Sequence, residues 1–96
     1  MGKTYYTEFI QHCLRFYCRH TDFTEAELAN LKEADRQNWL ACEEAIHTEF
    51  PLEVDRIVEI YSWKGTLSEY IGSDVPTWRF LSRVERKVAE YRGIIG

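Results

Sequence analysis

Apolar residues recur at three- and four-residue steps along almost the whole chain. No stretch alternates with period two for more than a few residues. That pattern gives each segment one apolar helical face and leaves no material for a sheet. The expectation is an all-α fold, a compact bundle of about five helices ending in a helix-turn-helix-like unit. Ninety-six residues form one domain, 1–96, able to bury a small core. A hydrophobic fraction of 45% with 15% aromatics supplies that core.

The first helix is expected over residues 4–20. Tyr6, Phe9, Ile10, Cys13, Leu14 and Tyr17 line one face, and Tyr5, Phe16 and Cys18 widen it. Thr24 and Glu27 then form a capping-box pattern, with Phe23 and Leu28 at the flanking staple positions. A single helix from 24 to 47 would be about 35 Å long, long for so small a domain. A break near 30–33 is therefore expected, with 34–46 the strongest piece. Pro51 suits the first turn of a third helix, because its missing N–H costs nothing there. Val54, Ile57, Val58 and Tyr61 make that helix's apolar face, and Gly65 is expected to end it.

Thr66 and Glu69 repeat the capping-box pattern before a very short helix closed by Gly72. Ser73 or Asp74 caps the last helix, with Pro76 in its first turn. Trp78, Leu81, Val84, Val88 and Tyr91 face inward, and Gly93 with Ile94 fits a C-terminal cap. Trp39 and Trp78 both lie on apolar stripes and are expected to be buried. A short helix, a tight glycine turn and a longer helix are the outline of a helix-turn-helix, placed here at 51–93.

Few motifs point to catalysis or metal. His12, Cys13, Cys18, His20, Cys42 and His47 lack CxxC or HxxxH spacing, so no metal and no cofactor are expected. No GxSxG, HExxH, P-loop or GxGxxG is present, and no enzyme is expected. Without a long apolar run or a signal-peptide pattern, the expected location is cytoplasmic, with no membrane partner and reduced cysteines.

Charge is unevenly distributed in a chain of net charge −4. Residues 24–74 hold four Lys/Arg against twelve Asp/Glu, and residues 75–96 hold five against two. On the last helix Arg79, Arg83 and Arg86 fall at i, i+4 and i+7, with Lys87 beside them, opposite the apolar stripe. Together with Thr77, these are the candidate nucleic-acid-binding residues. The guanidinium fork suits guanine edges and phosphates.

Residues 34–96 resemble small helix-turn-helix proteins of Gram-positive mobile elements, related to the C-terminal promoter-reading region of sigma factors. The resembling pieces are ADRQNWLACEEAI (34–46), FPLEVDRIVEIY (50–61) and PTWRFLSRVERKVAEYRGII (76–95); YYTEFIQHCLRFYCRH (5–20) is similar to the opening of such proteins. The resemblance implies a support helix from Pro51 and a reader helix from Val75, with Arg79 and Arg83 at exposed reader positions. The chain departs from the pattern at 67–71, which is shorter than the usual first helix of the unit.

The expected function is a non-enzymatic binding protein of a phage or mobile element, acting as a helix-turn-helix-like transcription regulator. Its partner would be DNA or the transcription machinery. The alternative is an acidic protein inhibitor of a host DNA-binding nuclease, of the anti-CRISPR or anti-restriction type. Glu43, Glu44, Glu53, Asp55 and Glu59 would then meet a basic cleft.

Overall fold

The computed structural model describes residues 5–95. In chain order its helices are α1 (Thr7–Cys18), α2 (Glu25–Ala29), α3 (Glu33–Glu49), α4 (Val54–Tyr61), α5 (Leu67–Ile71) and α6 (Val75–Arg92). No strand occurs among the described residues, so the all-α class holds. The first helix begins at Thr7; Thr4, where it was expected to start, lies outside the described residues.

Local sequence chemistry sets several boundaries directly. Glu27 N–H donates to Thr24 Oγ1 at 3.1 Å, and Thr24 N–H donates to the Glu27 carboxylate at 2.8 Å. The same reciprocal pair joins Thr66 and Glu69 at 3.1 and 3.0 Å. Each box satisfies amide groups that the first helical turn leaves without intrahelical partners. The break inside 24–47 is real. Lys32 turns extended (φ −59°, ψ 152°), splitting the segment into α2 and α3, so that six helices occur among the described residues.

Pro51 does not open α4. Glu53 N–H donates to Phe50 O at 3.0 Å, which closes a turn over 50–53, and the helix starts only at Val54. Its end also comes early. The helix stops at Tyr61 with Ser62 as cap, well before Gly65. Gly72 takes φ +66° and ψ −130°, a conformation open essentially to glycine alone, and so ends α5 sharply. Asp74 is the N-cap residue of α6, with Pro76 in the first turn. At its far end Gly93 is left-handed and Ile94 N–H donates to Ala89 O at 2.9 Å, a Schellman-type closure.

The core is built chiefly where α6 and α1 pack against α3 and where α4 packs against α1. Ile10, Cys13, Leu14, Tyr17, Cys42, Ile46, Ile57, Tyr61, Leu81, Val84 and Val88 are its largest fully buried members. Phe9, expected inside, is 43% exposed because it sits at the edge of an arc centred on Ile10, Cys13, Leu14 and Tyr17. Trp39 is buried, and its indole N–H donates to His20 O at 2.9 Å. Trp78 is only half-buried. Its indole N–H donates to Gly72 O at 2.9 Å, tying the start of α6 to the end of α5.

One charged group lies deep inside. Glu85 is buried and accepts from the Tyr61 hydroxyl at 2.6 Å and from Gln11 Nε2 at 3.0 Å. Its position next to Val84 left it indistinguishable in the sequence from a solvated helix residue. Burial, with the Glu85 carboxylate beside it, holds the Tyr61 hydroxyl well above the usual tyrosine range.

Candidate functional site

Helix α6 divides into two faces. Thr77, Phe80, Leu81, Val84, Glu85, Val88 and Ala89 are buried, while Arg79, Ser82, Arg83 and Arg86 are exposed. The exposed positions step by three, one and three residues, so they form one narrow stripe along the helix.

The stripe is not uniform. Arg86 lies 3.5 Å from Glu90, and Lys87 lies 3.4 Å from Glu90 and 3.8 Å from Glu49, so carboxylates offset both charges. Neither Arg79 nor Arg83 forms an ion pair with a described carboxylate. Thr77 does not share that exposed stripe. It is buried, its hydroxyl donates to the Asp74 carboxylate, and it accepts from Arg56 Nη2 at 3.1 Å. Its expected place beside the arginines is corrected by one step of helix rotation: residue 77 falls on the arc of Leu81 and Val84.

A residue that the sequence reading passed over completes the group. Arg56, from α4, places its guanidinium 4.7 Å from the centre of the Phe80 ring. The Arg83 guanidinium lies 5.6 Å from the same ring. Phe80 is buried and meets Phe50 edge to face at 5.8 Å. One ring, locked by the core, therefore positions two guanidiniums from different helices by cation–π attraction. No local spacing in the sequence could link Arg56 to Arg83, because 26 intervening residues separate them in the chain.

Beside Arg56 lies a cleft of about 270 Å³ between α4, α5 and the start of α6, lined by Arg56, Glu59, Ile60, Tyr70, Ile71, Asp74 and Thr77. Both carboxylates in it accept hydrogen bonds, Glu59 from the Tyr70 hydroxyl at 2.6 Å and Asp74 from Thr77.

Of the residues expected to form an acidic surface, Glu43 and Glu44 lie on α3, Asp55 and Glu59 on α4, and Glu53 just before α4, and both helices pack on α1. Glu43 accepts from the Tyr17 hydroxyl and lies 3.5 Å from His47, and Glu59 is taken by Tyr70. Glu44 and Asp55 are exposed, and Glu53 is half-buried.

No group of three or more metal-ligating side chains gathers among the described residues. No helix among them is long and apolar enough to cross a membrane. Cys13, Cys18 and Cys42 are free and buried. Burial pushes Cys13 up to about 11 and Cys18 up to about 12, and holds Cys42 well above its ordinary value. Each thiol thus holds its proton more tightly when folded. That contribution to stability is whole below the ordinary thiol value of 9.0 and falls away as pH rises toward the folded values. Ellman's reagent at pH 8 should label none of the three thiols in the native protein and all of them in guanidinium. Fast labelling of the native protein would contradict the packing of α1 on α3.

No protein-family model, curated protein or solved structure matches this chain.

Proposed function

We propose that the protein is a cytoplasmic, non-enzymatic binding protein of a phage or other mobile element, and that it contacts nucleic acid through Arg79, Arg83 and Arg56. Its role would be that of a helix-turn-helix-like transcription regulator. The observation that carries this reading is the pair of guanidiniums, Arg56 and Arg83, held on the Phe80 ring, with exposed Arg79 on the same helix face as Arg83 and none of the three in an ion pair with a described carboxylate. The other basic side chains on that side, Arg86 and Lys87, already face carboxylates. The order of capped α5, a three-residue turn and long α6 adds support, since it presents the arginine stripe on the second helix of the pair.

A net charge of −4 does not forbid such contact. At about 0.1 M salt, charges separated by more than about 10 Å are largely screened. The arginines touching phosphate then matter more than distant carboxylates. Fluorescence anisotropy with a labelled duplex should show binding at low salt. Three neutralised phosphates predict a slope of log affinity against log salt of about −3. Absence of binding at micromolar protein and low salt would overturn the proposal.

A further inference from the structure

Two large exposed rings lie at the cleft: Tyr70 lines it, and Trp63 packs against Tyr70. Trp63 is 41% and Tyr70 is 36% exposed, and their centres lie 5.1 Å apart. Trp63 sits in a loop yet is held firmly. Arg15 of α1 and Arg19, the residue that caps its C-terminus, donate to its carbonyl oxygen at 2.9 Å each, and Arg15 donates also to Gly65 O at 3.0 Å. The indole lies across Gly65, where an added Cβ would come within 2.8 Å of Trp63 Nε1. Two rings left open to water at a fixed position are preorganised for a planar ligand, because their ordering cost is already met on folding.

The rings are continuous with the proposed phosphate contacts. Tyr70 and Arg56 line the same cleft, and Arg56 shares Phe80 with Arg83. The cleft itself carries the carboxylates of Glu59 and Asp74, which repel phosphate but accept hydrogen bonds from the amino edge of a base. One cleft thus brings together an aromatic ring, two acceptor carboxylates and a guanidinium, with Trp63 joined to it through Tyr70 and Arg83 through Phe80. Exposed rings beside cations are the combination that binds unpaired nucleotides, with stacking on the rings and phosphates on the cations.

We propose that the ligand of this surface is a nucleic-acid duplex with a single-stranded extension, the first unpaired base stacking on the Trp63 indole, which Tyr70 supports from beside it, while Arg56, Arg79 and Arg83 hold the adjoining phosphates. This rests on the arginine face as the nucleic-acid contact, and adds what that face selects.

The test compares a blunt DNA duplex with the same duplex carrying a short deoxycytidine overhang. Binding is measured by anisotropy with the wild-type protein and with Trp63→Ala, Tyr70→Ala. Wild type should bind the overhang duplex about ten-fold more tightly, the scale of one base–aromatic stack. The double variant should lose that preference and bind the blunt duplex as wild type does. That result also checks that the variant is folded. Equal wild-type affinity for the two duplexes, or a preference that survives in a folded Trp63→Ala, Tyr70→Ala protein, would overturn this inference and leave the arginine reading standing. No binding to either duplex would overturn both.

Discussion

The Arg79→Glu, Arg83→Glu double variant is expected to bind nucleic acid on the order of 100-fold more weakly at low salt, with its helical circular dichroism unchanged. Each substitution turns an attraction to phosphate into a repulsion, and the effect is largest where counterions are scarce. The fold should survive because both side chains are exposed and neither closes a salt bridge with a described carboxylate. Loss of the Arg83 contact with Phe80 leaves the Arg56 contact in place. Charge reversal at Glu43, Glu44 and Glu53 serves as the comparison, and should leave nucleic-acid binding intact or slightly stronger. Arg79→Glu, Arg83→Glu protein that is folded and still binds would exclude α6 as the contacting helix. Loss of activity only on reversing the three glutamates would instead favour an acidic surface that meets a basic partner.

Trp39→Ala is expected to be the most damaging single change to stability. Trp39 is 5% exposed, meets Tyr17 at 5.1 Å and Phe23 at 6.3 Å, and bonds His20 O. Truncation opens a cavity between α1 and α3 and leaves that carbonyl without its donor. Large aromatic-to-alanine changes in cores cost about 3–5 kcal/mol. For a domain this size, each kcal/mol lowers the melting temperature by about 4–8 °C. A melt should therefore fall by roughly 15 °C or more. Trp78→Ala should cost less than half as much, since Trp78 is half-exposed and touches the core from one side. Equal losses for the two variants would show that the end of α5 and the start of α6 are packed more tightly than the structure has them.

The contrast between the two tryptophans shows how far a helical stripe can be read. Both fall on an apolar period, and the period alone assigns both inward. The arc that α6 turns to the core includes Glu85 and Ala89, which flank Trp78 in rotation, so Trp78 faces the right way; it is half-exposed because it lies in the first turn, beyond most of the core, where its indole N–H reaches Gly72 O. On α1 the period itself misplaced Phe9, at the margin of the arc through Ile10 and Leu14. Periodicity identifies a face to within about one residue's rotation, roughly 100°. Neighbouring helices decide where within that margin the face is centred.

What the sequence determined on its own was local. The all-α class follows from a period that admits no strand. Both capping boxes depend on residues three apart, Thr24 with Glu27 and Thr66 with Glu69, and such short-range chemistry needs no partner element. The closure at Gly93 likewise uses only its own last turn. What only the tertiary structure decided was every feature made of residues from different helices. Glu85 is buried because Tyr61 and Gln11 arrive from α4 and α1 to meet it. Thr77 turns inward because Arg56 and Asp74 take its hydroxyl. The guanidinium cluster exists because Phe80, fixed in the core, lies within reach of both Arg56 and Arg83. Contacts across the bundle depend on how helices are rotated and placed against one another, which no spacing along a single helix encodes.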